Sequence, residues 1–241
     1  MKYAIIAAGE GSRLAAEGIQ EPKPLVRVEG QALIDRLMKI FLDNDAEEIV
    51  VICNTLNPLV EQHLRQLQNE KLFGSEVPLT LVVKTTPSSM HSFFELSPHL
   101  TDGPFCMTTV DTIFRPEEFK SYISAFRQAV ERGEADGMMG VTDYIDDEKP
   151  LYVDTDESLN ITGFLDRSSS CRFISGGIYG LTASAIETLR GCMERGESRM
   201  RNFQRALVAD GRRLKAYPFT KVLDIDHASD IQKAEQFLRQ K

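Results

Sequence analysis

An α/β fold, with a mostly parallel central sheet flanked by helices, is predicted by three features of this chain. First, short apolar runs alternate with helix-periodic segments through the first half of the sequence. Second, those runs are apolar almost throughout rather than every other residue, as expected of strands buried on both faces. Third, hydrophobic residues make up 42% of 241 residues, a share and a length sufficient for one sizeable buried core.

In order, a strand is predicted over residues 3–7, followed by a loop of small residues. Leu33, Ile34, Leu37, Ile40 and Phe41 recur at helical spacing within 31–42. A second strand spans 48–53, and Leu59, Val60, Leu64 and Leu67 mark a helix over 58–72. The third strand is 79–83. A short helix over 88–96 has Ser88 or Ser89 as its cap. The fourth strand, 105–110, ends on Asp111. This rhythm implies right-handed crossovers and a Rossmann-like sheet covered on both faces. A helix over 116–131, with proline in its first turn, and a strand over 137–141 continue it. The rhythm then changes. Strands over 151–153, 161–165 and 173–181, separated by polar turns, predict a small antiparallel excursion within residues 143–180 that covers one side of the site. Helices over 183–193 and 200–209, strands over 214–219 and 222–225, and a closing helix over 228–238 complete the chain. No linker, repeat or low-complexity tract interrupts it, so residues 1–241 are expected to form one domain.

The net charge of −8 disfavours a broad surface for nucleic acid or anionic lipid. Cys53, Cys106, Cys171 and Cys192 are scattered, which disfavours a disulfide framework or zinc site; Cys53 and Cys106 read as buried free thiols. The N-terminus lacks a long apolar stretch, so no signal peptide or membrane helix is expected and a cytoplasmic location follows. His63, His91, His99 and His227 stand apart with no metal-ligand spacing, and the Met138-Met139 pair reads as core filling.

The chemistry is concentrated near the start. Ala7-Ala8-Gly9-Glu10-Gly11-Ser12 has almost no side-chain bulk before Arg13, so backbone N–H groups there can approach a phosphate closely. Arg13 and Lys23 add two positive charges in an acidic protein, a combination that suits a triphosphate. A dinucleotide fingerprint is incomplete, since Leu14 stands where its third glycine belongs and Glu29 precedes a helix instead of ending the second strand. The Gly-Lys-Ser/Thr of a Walker loop is absent.

Ala7-Ala8-Gly9-Glu10-Gly11-Ser12-Arg13-Leu14, with Pro22-Lys23-Pro24-Leu25-Val26 and Val28-Glu29-Gly30, resembles the signature loop of the nucleotidyltransferases that make nucleotide-sugars, the sugar-1-phosphate nucleotidyltransferase or NDP-sugar pyrophosphorylase type with a GT-A-type fold. An ordinary glycine turn with surface charges is the plain alternative. The resemblance implies transfer of a nucleoside monophosphate from an NTP to a phosphorylated small molecule, a sugar-1-phosphate first, with release of pyrophosphate. A cytidylyltransferase acting on phosphocholine or a similar alcohol phosphate is the second reading, and a non-catalytic nucleotide-binding module the third. It also implies that Arg13, Lys23 and Asp111 are catalytic. Ala7, Ala8, Gly9, Gly11, Ser12, Arg13, Lys23, Ser88 and Ser89 would bind the nucleotide. Mg²⁺ would be held by Asp111 and by Asp224 or Asp226. Asp166, Arg167 and Gly177 would meet the acceptor.

The landmarks also carry plainer readings. Asp111 ends a buried strand, where ligands bind in open α/β sheets, yet turn aspartates are common there too. Asp224 and Asp226 share a face if 222–225 is a strand, or else cap the last helix. Loop or core packing accounts for Asp166-Arg167 and Ser175-Gly176-Gly177 nearly as well. Departures from the family pattern are Val110 before Asp111, Thr85-Thr86-Pro87 in place of Gly-Thr, Arg167 for Lys, and Ala-Ala-Glu-Gly at 15–18. No hexapeptide-repeat or acyltransferase fusion is expected.

Overall fold

The computed structural model describes residues 1–146 and 148–240. Thirteen strands and eight α-helices occur among them. The strands are β1 (Lys2–Ala7), β2 (Arg27–Val28), β3 (Gln31–Ala32), β4 (Glu48–Cys53), β5 (Leu79–Val83), β6 (Phe105–Thr109), β7 (Thr112–Ile113), β8 (Gly137–Thr142), β9 (Tyr152–Thr155), β10 (Ile161–Leu165), β11 (Phe173–Leu181), β12 (Leu214–Phe219) and β13 (Leu223–Asp224). The helices are α1 (Ser12–Ala16), α2 (Leu33–Leu42), α3 (Pro58–Asn69), α4 (Ser89–Leu96), α5 (Pro116–Glu131), α6 (Ala185–Glu194), α7 (Met200–Ala209) and α8 (Ala228–Arg239).

β5, β4, β1 and β6 lie side by side and parallel, with Lys2 opposite both Glu48 and Phe105. β11 joins β6 antiparallel; on its far side it pairs with β8, which carries β12 in parallel, and with β9, which carries β10. The antiparallel strands therefore continue the parallel half as one nine-stranded sheet.

The two-residue period of a strand divides the core into two layers. Tyr3, Ile5 and Ala7 face a cluster with α2, α3, α5 and α8, whereas Ala4 and Ile6 face a second cluster with α4, α6 and α7. β4 divides the same way, Ile49, Val51 and Cys53 against Val50 and Ile52. In the first layer Tyr3 stacks on Phe41 with ring centroids 4.5 Å apart. Cys53, Cys106 and Cys192 are buried free thiols, as composition predicts for the first two. Among the described residues no helix is long and apolar enough to cross a membrane.

Three expectations change. Residues 12–16, read as loop, form one short helix. Residues 31–32 pair with β2 instead of starting α2. The expected strand over 222–225 shrinks to Leu223–Asp224, paired with β7.

The central strand β11 packs tightly on α5. A Cβ on Gly180 would lie 2.7 Å from Tyr122 Oη and 2.9 Å from Phe126 Cγ, and Tyr122 Oη donates to the Met138 carbonyl at 2.8 Å. Gly180→Ala is therefore expected to destabilise the protein by about 1–3 kcal/mol. Chemical denaturation measures this, and an unchanged midpoint would contradict the packing.

Candidate functional site

The site is built where β1, β4 and β6 end, on the carboxyl side of the parallel strands. After β1 the chain turns through Ala8, Gly9, Glu10 and Gly11 into α1. Gly11 caps α1 in the left-handed region (φ +64°), and a Cβ there would lie 3.0 Å from Lys23 Cβ. Asn54, just past β4, donates to the carbonyls of Ala8 at 3.2 Å and Gly9 at 3.1 Å. Its Oδ1 accepts from the Leu56 and Asn57 N–H groups. Asn54 is buried and fully engaged, and it holds the loop to the neighbouring strand. No motif pointed to it; its only signal was an amide at a strand end.

Lys23 opens the 3₁₀ turn Lys23–Leu25 and is itself held between Pro22 and the buried Pro24. Its side chain is 10% exposed, and its Nζ sits between two carboxylates, Asp111 and Asp226 (2.8 Å). Burial opposes the ammonium charge, but Asp111 and Asp226 outweigh it and hold its pKa above the ordinary lysine range. Asp226 uses its other oxygen on Arg13, 2.8 Å from Nη1. Thus the structure brings Arg13, Lys23, Asp111 and Asp226 into one ion-pair chain across more than 200 residues of sequence.

These groups line a cavity of about 530 Å³ together with Ala8, Gly9, Gly11 and Ser12. The hydroxyl residues Thr86, Ser88, Ser89 and Ser92 also line it. Thr86 Oγ1 and Ser92 Oγ are 2.6 Å apart, and Ser88 caps α4 through His91 N, as its sequence position predicts. A second cavity of about 250 Å³ adjoins the first, and Arg13 and Asp226 line both. Asp224, Ser175, Gly176 and His227 also line the second.

Asp111 and Asp224 come from adjacent antiparallel strand ends. Asp224 pairs with Thr112, and Ile225 N donates to the Asp111 carbonyl at 3.1 Å. Both charges reach Tyr179, whose phenol is pushed well above its ordinary range by burial first and then by Asp224 and Asp111. Carboxylate oxygens from these two strand ends are the donor type a hard divalent cation takes. Mg²⁺ is commonly held by only one or two carboxylates beside substrate phosphates. Among the described residues no group of three or more His, Cys, Asp or Glu side chains converges as a fuller metal cage.

Other predicted residues are placed differently. Gly177, at the β11 bulge with φ +69°, comes close to Thr112 and Thr109, whose hydroxyls are 2.8 Å apart beside Asp111. Ala7 is buried in β1 and lines neither cavity described above. Asp166 and Arg167 follow β10 and also line neither. Asp166 is instead bound by Arg201 at 2.6 Å and Arg205 at 2.8 Å, both from α7. Asp226 lies beyond β13, so strand alternation does not set its direction. His227, read as isolated, caps α8, and its Nδ1 lies 2.6 Å from Glu17 Oε1.

Comparison with known proteins agrees with this geometry. A model of the family described as nucleotidyl transferase matches residues 2–241. A UTP–glucose-1-phosphate uridylyltransferase of Haloferax volcanii is 23% identical over 246 residues, covering 100% of this chain and 97% of that protein. Among solved structures, the inositol-1-phosphate CTP transferase from T. maritima superposes with a TM-score of 0.79 at 21% identity, covering 99% of this chain and 96% of that one. A UDP-glucose pyrophosphorylase complexed with UDP-glucose gives 0.79 at 16% identity, covering 98% and 97%. These structural likenesses show the shared fold.

The tight turn at Gly11 makes a direct prediction. Gly11→Ala places a side chain in the left-handed region and against Lys23, so a loss of about 1–2 kcal/mol is expected. Gly9, with nothing within 4 Å of its Cβ position, is the control, and Gly9→Ala is expected to be nearly neutral. Equal unfolding midpoints for the two variants would contradict this account of the loop.

Proposed function

We propose that this chain, which belongs to the nucleotidyl transferase family, transfers a nucleoside monophosphate from a nucleoside triphosphate to a sugar-1-phosphate and releases pyrophosphate. Residues 1–241 act as one nucleotidyltransferase domain in this reading. The observation that carries it is the convergence of Arg13, Lys23 and Asp111 on one cavity beside a loop of small residues. The sugar-1-phosphate acceptor is supported by the uridylyltransferase relative, which matches over nearly its full length and whose name specifies glucose-1-phosphate.

An oxygen of the acceptor phosphate attacks the α-phosphorus; the bond from that phosphorus to the β-phosphate oxygen breaks, and pyrophosphate leaves with the electron pair. Little covalent help is needed, so positioning and charge neutralisation do the work. Backbone amides of Ala8, Gly9, Gly11 and Ser12 cradle the phosphates. Arg13 turns from Asp226 to the β- and γ-phosphates and steadies the departing pyrophosphate. Lys23, already cationic and poorly solvated, faces the charge that builds at the α-phosphoryl group. The hydroxyls of Ser88 and Ser89, which line the same cavity, would meet the nucleotide. Asp111 and Asp224, with Asp226 as a further candidate, would hold Mg²⁺, which would neutralise phosphoryl oxygen charge. Gly177 lines neither cavity and lies against Thr112, so it serves the acceptor side only by letting β11 approach Thr112 and Thr109. Asp166 and Arg167, outside both cavities, enter this reading only as groups that a longer acceptor reaches.

Removing one positioned charge of this kind costs about 10²–10³-fold in kcat. Lys23→Ala and Asp111→Ala are therefore each expected to slow pyrophosphate release by that factor, measured with each NTP against a panel of sugar-1-phosphates. Full activity in both variants would exclude the assignment. Chelation by EDTA is expected to stop turnover and added Mg²⁺ to restore it; turnover that ignores the chelator would remove the metal from the reading.

A further inference from the structure

The segment after α1 departs most from the family pattern and has no part in the chemistry above. Its Glu17 is tied to residues 210 positions away. One carboxylate oxygen lies 2.6 Å from His227 Nδ1, and the other accepts from the Ala228 N–H at 2.7 Å. Those partners begin α8, beside Asp226. Arg13 precedes Glu17 by four residues, the spacing that puts two side chains on one face of a helical turn. Arg13 holds Asp226 and Glu17 holds the next two residues, so one turn grips three consecutive positions.

That grip matters because α1 is weakly held by itself. It has five residues, its cap Gly11 makes no side-chain bond, and only Leu14 of the helix is buried. A helix this short is not stable alone. Two side-chain ties, from Arg13 and Glu17, reach from this turn to the start of α8, and they differ in kind. The Arg13–Asp226 pair is the one that nucleotide phosphates would dissolve. The Glu17 tie is not part of the main cavity's lining, which includes neither Glu17 nor His227, although His227 lines the adjoining cavity. The charged groups around it are Glu148, 4.0 Å from His227 Nε2, and Asp230, which accepts from the N–H groups of Asp226 and His227 at 3.1 and 2.8 Å. Asp230 thereby fixes two of the same three residues, Asp226 and His227, from the α8 side.

We infer that Glu17 is a positioning residue: it keeps α1 fastened to the start of α8 while Arg13 exchanges Asp226 for the nucleotide's phosphates. The inference rests on the transfer reading for Arg13, but the fastening itself does not. With Glu17 in place, Arg13 arrives on a helix already set across the cavity mouth. Without it, α1 must be ordered at the moment of binding, and nucleotide affinity falls by that cost. An exposed ion pair alone would do little; here one arm is a bond to a backbone N–H, which a neutral amide can also make.

The test uses the full chain, Glu17→Ala and Glu17→Gln, with NTP titrated at saturating sugar-1-phosphate. Glu17→Ala is expected to raise the KM for NTP by about threefold to tenfold, within the range a single lost contact produces, while kcat stays within about twofold of the parent. Glu17→Gln keeps the acceptor for Ala228 and is expected to restore most of the KM. Amide exchange over residues 12–17 is expected to quicken in Glu17→Ala, without nucleotide, while the rest of the chain keeps its protection. An unchanged KM, a loss of kcat matching the rise in KM, or a failed rescue by Gln would overturn the positioning role. If the parent protein turns over no NTP with any sugar-1-phosphate, the transfer reading fails instead. The exchange measurement still decides the fastening, and unchanged exchange overturns it.

Discussion

The lysine ammonium held between Asp111 and Asp226 is the contact on which the site depends. A charge with only a tenth of its side chain exposed needs partners, because burial without them is costly. Those partners come from the middle of the chain and from near its C-terminus. Asp111 follows a core strand next to β1, and Asp226 precedes the last helix. Satisfying Lys23 therefore draws the C-terminal segment over the sheet edge, where β13 pairs with β7 and places Asp224 beside Asp111. Arg13 then closes the chain of charges from the loop side. In the proposed reading, the cations held in this arrangement would meet a triphosphate once its own oxygens replace those of Asp226.

Close approach is the second constraint, and small residues meet it. Gly11 brings the loop against Lys23, and Gly177 brings β11 against Thr112. Asn54 takes up the carbonyls of Ala8 and Gly9, so this bend after β1 leaves no buried side-chain polar atom unpartnered among the described residues. The loop is thereby a shaped surface whose form is set by its neighbours on β4 and at Lys23.

Much of the fold was legible because burial writes a strong pattern. β4, β5, β10, β11, β12, α5 and α7 occupy the predicted residues. The strands are apolar on both faces or flanked by turns, and the helices show clear 3.6-residue periodicity. The elements that escaped are very short, and β7 and α1 among them depend on a distant partner. β7 has two residues and exists by pairing with β13, itself foreseen over 222–225 but reduced to the two residues that pair. α1 carries only Leu14 as an apolar anchor and is held by Glu17 and Arg13. In the site, Lys23 and Asp111 were legible from a long loop motif and a strand end. The engagement of Asp166 by Arg201 and Arg205 was not, because charges on α7 and at the end of β10 carry no sign in sequence of facing each other. His227 was hidden for the same reason: its partner lies at the other end of the chain.

The central claim is that the acceptor takes the α-phosphorus of a nucleoside triphosphate. It is tested most directly by following isotopic label. With NTP labelled at the α-phosphate, a sugar-1-phosphate and Mg²⁺, the account predicts label in a nucleotide-sugar and an equal amount of unlabelled pyrophosphate. Label that remains in mononucleotide without entering the acceptor, or transfer of a γ-phosphate label to the sugar, would contradict it.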